Sequence, residues 1–235
     1  GTNKSHGEPL GEEELALTKQ NLGWTAEPFT VPDEVWAYMK EVRKTTDSYA
    51  KDWEEKFAAY SAKYPELAKQ LKDWFSGDYE KEAAEKLLKD DSFWIHEGDC
   101  ATRQSSEKML NKIKDILPNL FGGSADLAPS NKSIMKDVAY YTKENRGGAN
   151  IHYGIRELAM TAIANGMAFH GGVKPYIASF FVFSDYMKPA LRVSAISSLP
   201  VIGILTHDSI GVGEDGPTHH GAFDLAALRP IPNLT

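Results

Sequence analysis

The stretch LPVIGILTHDS, from Leu199 to Ser209, joins an almost continuous apolar run to a polar turn. A short apolar run of this kind is typical of a parallel strand that is buried on both faces. The polar residues after it would then leave the carboxyl end of the strand, where open α/β sheets bind their ligands. The stretch therefore predicts an α/β fold with a functional site at this edge of the sheet.

Helical and strand-like segments alternate on the amino-terminal side of this stretch. We predict helices over 105–117, 157–170 and 185–197, strands entered at 118–121 and spanning 176–183, and a loop over 122–131. Strands that alternate with helices indicate βαβ units and a mainly parallel sheet flanked by helices.

A charged helical segment precedes this sheet, from Val31 to about Lys89. Pro32 and Pro65 suit the first turns of helices, and Gly77 suits a helix end. A short helix with three consecutive glutamates, Glu12–Glu14, is expected before the segment. We interpret all of these as solvated helices that act as a linker.

Composition excludes several classes of function. The chain has 235 residues, 42% of them hydrophobic and 25% charged, and a net charge of -7, which disfavours nucleic-acid and anionic-membrane partners. The one cysteine, Cys100, cannot form an internal disulfide and indicates a reducing, cytoplasmic location. No apolar run is long enough to span a bilayer.

The loop GVGEDGPTHHG, from Gly211 to Gly221, follows the last predicted strand and concentrates titratable groups. His219 and His220 could be metal ligands, but no cysteine accompanies them and adjacent histidines point in different directions. Acid–base or hydrogen-bonding roles are therefore favoured over a metal site.

Glu157 opens a helix whose other residues are mostly Ala, Met, Ile and Gly, so desolvation would favour its protonated form. An alternative is a first-turn acid that stabilises the helix dipole, paired with Arg156 or Arg192. The two interpretations are equally compatible with the spacing.

Two further groups of residues are candidates for ligand binding. Phe180, Phe183 and Tyr186 recur at three-residue intervals, which is typical of a core stripe but also suits stacking on a flat heterocycle. Arg103, Ser130 and His207 could hold a phosphate, although each could equally be a cap or a surface group.

Several long motifs occur together in the order found in one enzyme family. They are GGSADLAPSN (122–131), HYGIRELAM (152–160), FVFSDYMKPALR (181–192) and THDSIGVGEDGPTH (206–219), with SHGEPLGEEE and LAALRPIPNL near the two ends. Together they resemble transketolase over almost the whole chain. The resemblance implies a thiamine-diphosphate enzyme that moves a two-carbon ketol unit from a ketose phosphate to an aldose phosphate.

The resemblance also implies roles for individual residues. Glu157 would hydrogen-bond the aminopyrimidine of the cofactor and promote loss of the thiazolium proton, while Phe183, with Phe180 and Tyr186, would stack on the pyrimidine. The substrate phosphate would be held by Arg103, Ser130 and His207. Asp215, His219 and His6 would contact the sugar hydroxyls and the reacting carbonyl, with His219 and His6 taking part in catalysis.

The chain departs from the family at two points. His220-Gly221 follows His219 where transketolases commonly carry Gln-Pro, which is similar to 1-deoxyxylulose-5-phosphate synthase, the minor alternative. The Gly-Asp-Gly motif and downstream Asn, which hold Mg²⁺ or Ca²⁺ in an earlier domain, are absent, because Gly77-Asp78 and Gly98-Asp99 are followed by Tyr79 and Cys100. No metal ligand is therefore predicted within this chain.

The resemblance finally implies a place within a longer polypeptide. Residues 1–92 would be the tail of a diphosphate-binding domain with a helical linker, and residues 93–235 an incomplete pyrimidine-binding domain. Such enzymes form homodimers through these domains and act in the pentose phosphate pathway. The isolated chain is expected to be inactive, and an interaction fragment that has lost its chemistry is the rival hypothesis.

Overall fold

The computed structural model of the chain describes residues 3–95 and 98–235. The chain divides into two compact units, Gly1–Pro65 and Glu66–Thr235. In the first unit a 3-10 helix, Asn3–His6, precedes the helices α1 (Gly11–Leu22) and α2 (Asp33–Lys63). These helices contain no buried residue, so the predicted charged helical segment is solvated as far as Lys63.

The second unit begins with three consecutive helices. Helix α3 (Pro65–Ser76) and helix α4 (Asp78–Lys89) are separated by Gly77, which has a positive φ of 76°. Glycine adopts this left-handed conformation without a Cβ penalty, so it is well suited to the break between the helices. A short helix, α5 (Asp91–Trp94), follows.

The rest of the second unit is an α/β domain. Its strands are β1 (Leu120–Ser124), β2 (Asn150–His152), β3 (Lys174–Phe180) and β4 (Ile202–Thr206), and its helices are α6 (Thr102–Ile116), α7 (Ala128–Asn131), α8 (Glu157–His170), α9 (Ser184–Ile196) and α10 (Asp224–Leu228). All strand pairs are parallel, in the order β2-β1-β3-β4. The predicted fold class is thereby confirmed.

Consecutive residues of β3 face opposite sides of the sheet, because side chains alternate along a strand. Ile177 packs in a core cluster with residues of α8 and α9, whereas Tyr176 packs in a second cluster with Leu110 of α6 and with Met135. Both faces of the sheet are therefore covered at β3, as is usual for the central strands of parallel sheets.

Three local predictions were wrong. β4 is not buried on both faces, because it is the outermost strand within the described residues and Ile202 is 47% exposed. Gly122 and Gly123 belong to β1 and not to a loop. Glycine is needed here for close packing against β3, because a Cβ at Gly122 would overlap the Tyr176 carbonyl. β3 ends at Phe180, and the chain then turns through a 3-10 helix, Phe181–Phe183.

Strand β2 was not predicted, since a three-residue strand is too short to show a period. Asn150 anchors it, because its side-chain amide donates to the carbonyls of Met135 and Val138 and accepts from the Met135 amide. In the described part of the chain, no helix combines the length and apolarity needed to cross a membrane.

Candidate active site

The strand order places a crevice at the carboxyl edge of the sheet. The chain runs from β1 to β2 on one side and then places β3 and β4 on the other, so the order reverses between β1 and β3. Ligands of open α/β sheets bind at such reversals, just beyond the carboxyl ends of the strands. The loops after β1, β3 and β4 leave the sheet at this edge.

One cavity at this edge, of about 430 Å³, is here named the apolar cavity. It is lined by Ala125, Asp126, Leu127, Ile155, Glu157, Phe183, Tyr186 and His219. Most of these side chains are apolar or aromatic, and Glu157 brings a carboxylate to them. A mostly apolar cavity with few polar groups is the usual form of a small-molecule site.

Phe180, Phe183 and Tyr186 form a continuous aromatic wall. The ring centroids of Phe180 and Phe183 are 6.0 Å apart with an interplanar angle of 8°, and those of Phe183 and Tyr186 are 6.2 Å apart. The His219 ring meets Phe183 edge-on at 5.5 Å. Phe180 is buried whereas Tyr186 is 63% exposed, so the predicted stripe is partly core and partly cavity lining.

Glu157 is half-buried at the first turn of α8. Within residues 3–95 and 98–235 no side chain donates a hydrogen bond to its carboxylate and no ion pair includes it. The proposed pairing with Arg156 is absent, because the Arg156 guanidinium donates to the Tyr153 carbonyl at 2.9 Å. The carboxylate is therefore available to a ligand in the apolar cavity.

A second cavity, of about 810 Å³, opens beside β4 and is here named the polar cavity. Arg103 at the start of α6, His207 directly after β4 and Asp215 all line it. Arg103 Nη1 lies 3.0 Å from His207 Nε2 although 104 positions separate the two residues. The structure thus brings together these three predicted residues.

His207 links the two cavities through the aromatic wall. Its ring centroid lies 3.7 Å from that of Phe180. Burial lowers the pKa of His207 below its ordinary value, and the Arg103 guanidinium lowers it further, whereas the Asp215 carboxylate acts in the opposite direction. The neutral form of His207 is therefore favoured.

Two predicted residues are not part of these contacts. Ser130 is exposed on α7 and does not line either cavity, although its neighbour Asn131 is bonded to Thr206. His6 is exposed at the end of the first 3-10 helix and belongs to the other compact unit. The roles of both stay predictions.

Sequence reasoning missed four buried polar residues near this edge. Ser124 and Thr206 are each bonded to Asn131. Asp224 at the start of α10 is 0% exposed, and neither of its carboxylate oxygens has a partner among the residues that the structure describes. The first three lie within recognised motifs, but only their partners reveal that they are buried. Burial raises the pKa of Asp224, with a further contribution from Asp185 and an opposing one from Lys188.

The side chains at this edge fit an aromatic heterocycle better than a metal ion. The aromatic wall and the Glu157 carboxylate suit a flat ring that carries a nitrogen acceptor or donor. In the part of the chain that the structure describes, no three His, Cys, Asp or Glu residues lie close enough together to hold a metal.

Comparison with known proteins identifies two family regions in the chain. Residues 99–235 match the pyrimidine binding domain of transketolase, and residues 1–79 match its thiamine diphosphate binding domain. The transketolase of Halalkalibacterium halodurans is 46% identical over 236 residues, and that of Geobacillus stearothermophilus is 47% identical over 242 residues. Each match covers 100% of this chain and 35% of the relative, so the chain spans about a third of their length.

Solved structures agree with these matches. Transketolase from Leishmania mexicana has a TM-score of 0.81 at 35% identity, covering 96% of this chain and 33% of that chain. A Pichia stipitis transketolase complexed with sedoheptulose-7-phosphate has a TM-score of 0.79 at 37% identity, covering 94% and 33%. These relatives favour the transketolase resemblance over the synthase alternative.

Proposed function

The chain belongs to the transketolase family, and from that premise we propose that it forms the pyrimidine side of an active site for ketol transfer between sugar phosphates. The observation that carries the proposal is the apolar cavity, in which the unpaired Glu157 carboxylate lies with the aromatic wall. When bound, thiamine diphosphate supplies the nucleophilic carbon that carries the two-carbon unit. The residues of this chain bind, orient and exchange protons around it.

Glu157 is the proposed acid of this site. Its position in an apolar cavity weakens competing hydration, so a hydrogen bond to an aminopyrimidine nitrogen is strong. A carboxyl group that shares a proton with the ring there controls the protonation of the neighbouring amino group. Phe183 and Tyr186 would stack on the pyrimidine, and so orient it toward Glu157, which lines the same cavity.

The polar cavity is the proposed substrate side. Arg103 presents a guanidinium to it, and His207 presents Nε2, so both are placed to contact a phosphate. Ser130 stays a proposed further donor. Asp215 lines the same cavity and His219 lies against the aromatic wall, which suits contacts to sugar hydroxyls and to the reacting carbonyl. The catalytic role of His6 stays a prediction.

Diphosphate and metal binding are assigned outside the chain. The described residues contain no cluster that fits Mg²⁺ or Ca²⁺, and the net charge of -7 opposes binding of a diphosphate by this chain alone. We keep the proposed boundary between residues 1–92 and 93–235. We also keep the cytoplasmic location, which depends on the single, unpaired Cys100.

A homodimer is proposed from the outer face of α8. Two large apolar side chains on this face are exposed, Leu158 at 51% and Phe169 at 81%, whereas Ile163, 50% exposed, lines a cavity together with Phe75 of α3. The face carries small residues between them and no charge: Ala159, Ala162 and Gly166. Small and apolar side chains of this kind allow a helix of a second copy to approach closely. Because Glu157 begins the same helix, the dimer contact would lie beside the apolar cavity.

Calorimetric titration of the 235-residue chain with thiamine and with thiamine diphosphate tests the proposal. If the chain holds only the pyrimidine, both ligands should bind equally, no better than roughly millimolar or ~4 kcal/mol. Added Mg²⁺ should change neither affinity, and ketol transfer should be undetectable. Glu157→Gln should weaken both ligands to the same extent.

Micromolar, Mg²⁺-dependent binding of thiamine diphosphate by this chain would contradict the assignment of the diphosphate to another region. Equal binding by the wild type and by Glu157→Gln would contradict the pyrimidine site. The rival hypothesis of an interaction fragment without chemistry predicts binding of neither ligand.

A further inference from the structure

A chain of buried hydrogen bonds lies beneath the polar cavity and crosses the carboxyl edge from β1 to β4. Ser124, Asn131 and Thr206 form it and are here named the hydrogen-bond relay. The Asn131 amide nitrogen donates to Ser124 Oγ at 2.9 Å, and the Thr206 hydroxyl donates to Asn131 Oδ1 at 2.7 Å. The three residues are 3%, 0% and 7% exposed, so water does not compete for these bonds.

Backbone groups at one end determine the direction of the relay. The Ser124 hydroxyl donates to the Ala178 carbonyl at 3.0 Å, and a carbonyl can only accept. Ser124 Oγ then accepts from the Leu127 amide at 3.2 Å and from the side chain of Asn131. Asn131 must therefore direct its NH₂ group at Ser124 and its carbonyl oxygen at Thr206.

This orientation determines the protonation of His207. Thr206 has a single hydroxyl hydrogen, and that hydrogen is donated to Asn131 Oδ1. The 2.9 Å contact between Thr206 Oγ1 and His207 Nδ1 can then be a hydrogen bond only if Nδ1 carries a hydrogen and donates it. At the opposite side of the ring, Arg103 can only donate, so Nε2 at 3.0 Å must accept.

Two independent arguments thus lead to the same state of His207, neutral with its hydrogen on Nδ1. We propose that Ser124, Asn131 and Thr206 are positioning residues that hold His207 in this tautomer and direct the Nε2 lone pair at Arg103 and the polar cavity. Ser124 and Asn131 do not line the polar cavity, and Thr206, which does, acts on the tautomer through its bond to His207 Nδ1.

The tautomer has a consequence for phosphate, which rests on the proposed function. A phosphate dianion offers only lone pairs and cannot bond to the Nε2 lone pair, so its complex requires one proton between Nε2 and the phosphate oxygen. Binding of the dianion should therefore take up one proton. The charged and titratable groups around His207 are Arg103, Asp208, Asp215 and His219, of which Arg103 and His219 oppose and the two aspartates favour that proton.

Imidazole ¹H–¹⁵N spectra of the ¹⁵N-labelled chain test the tautomer directly. The expected result, above the titration range of His207, is a protonated Nδ1 and an unprotonated Nε2. A His207→Asn variant assigns the signals. A hydrogen on Nε2 in the wild type overturns the proposal without reference to any activity.

Because Arg103 by itself also requires an accepting Nε2, the Thr206 variants are made in an Arg103→Ala background. There Thr206→Val removes the acceptor of Nδ1 while keeping the shape of the side chain, so we expect the Nε2–H tautomer to appear. Thr206→Ser retains the hydroxyl and should restore the Nδ1–H tautomer. Ser194→Ala is the matched control, because it deletes another buried hydroxyl, between α8 and α9, away from both cavities. A folded Thr206→Val variant with an unchanged tautomer overturns the positioning role. If that variant does not fold, the wild-type spectrum alone tests the predicted tautomer.

Titration with inorganic phosphate separates the positioning role from the phosphate subsite. Above pH 7.5, where the dianion predominates, uptake of one proton predicts that affinity falls about tenfold for each pH unit. Phosphate should also raise the midpoint of His207 titration. Phosphate binding that is absent or independent of pH, with the Nδ1–H tautomer intact, overturns the proposed phosphate subsite and leaves the positioning role standing.

Discussion

The two cavities at the carboxyl edge are linked by the contact between His207 and Phe180 and differ in how their polar groups are held. In the polar cavity both ring nitrogens of His207 have protein partners at 2.9 and 3.0 Å. In the apolar cavity the Glu157 carboxylate has no side-chain partner within residues 3–95 and 98–235. The polar cavity is therefore oriented by the chain itself, whereas the acid of the apolar cavity is free to bond to a ligand.

The comparison predicts that substitution of Glu157 causes the largest loss of turnover. Glu157→Gln in the full-length protein that carries this chain should reduce ketol-transfer turnover by ~10² to 10⁴, since positioned proton transfer contributes about that much. Steady-state kinetics at saturating cofactor measure the effect.

Asp185→Asn is the matched control for Glu157, because Asp185 is also a first-turn acid, on α9, but is paired with Lys188 at 2.9 Å. It should leave turnover within about twofold, since exposed ion pairs contribute little. Equal effects of the two substitutions on turnover would indicate that Glu157 is only a first-turn acid that stabilises the helix dipole.

Substitutions in the polar cavity should change KM for phosphorylated substrates and not turnover. Arg103→Ala should raise KM for phosphorylated donors by about 10- to 100-fold. This is the fold-change expected from the loss of a charge-assisted hydrogen bond that contributes about 1.5–3 kcal/mol. Hydroxypyruvate, which has no phosphate, should be nearly unaffected.

Arg146→Ala is the control for Arg103, because Arg146 donates to the Tyr141 hydroxyl and lines neither cavity. A KM increase of the same size for hydroxypyruvate would remove Arg103 from the phosphate site. An increase with Arg146→Ala would indicate a nonspecific effect of charge.

Phe183 is the central ring of the aromatic wall, and its loss should have a moderate effect on cofactor affinity. Phe183→Leu keeps an apolar side chain but loses ring contacts to Phe180, Tyr186 and His219. Aromatic pairs contribute about 0.5–1.5 kcal/mol, so apparent cofactor affinity should fall about 2- to 10-fold. Tyr186→Phe, which keeps the ring, should have little effect, and equal losses in both variants would argue against stacking.

The smallest expected effect concerns stability behind the aromatic wall. Asp224 Oδ2, Phe181 and the Val182 amide all lie close to Gly221, where there is no room for a Cβ. The pKa of Asp224 is raised by burial above its ordinary 3.8, so the folded state binds more protons than the unfolded state above that pH. Stability is therefore lost as pH rises through this window.

Asp224→Asn should remove that loss and raise the free energy of unfolding at pH 7 by on the order of 1 kcal/mol, or about 2–4 °C in Tm. The gain should shrink as pH falls, because the wild-type carboxyl group takes up its proton. Thermal melts between pH 4 and 8 measure it, with the exposed Asp115→Asn as control. A gain independent of pH would show that charge burial is not the cause.

Much of the architecture could be predicted because it is encoded locally. The run of small and apolar residues from Glu157 to His170 forms a helix over the predicted range, and the apolar run before Thr206 forms a parallel strand. A helix and a strand each repeat over a few residues, so their periods can be read from adjacent positions. The ordered motifs likewise indicated the family and the candidate residues.

The assembly of the site could not be read in this way. Asn131 and Thr206 are 75 positions apart, and Arg103 and His207 are 104 apart, yet each pair is in hydrogen-bond contact. These contacts depend on the order β2-β1-β3-β4 and on the register that aligns Ser124 of β1 with Ala178 of β3.

The sequence by itself therefore determined the elements, the family and the edge of the sheet where chemistry is concentrated. Only the tertiary structure decided that Ser124, Asn131 and Thr206 are buried and joined, and hence which nitrogen of His207 carries its hydrogen. The physical reason is that a hydrogen-bond donor is specified by its partner in space, and parallel strands bring together partners that are distant along the chain.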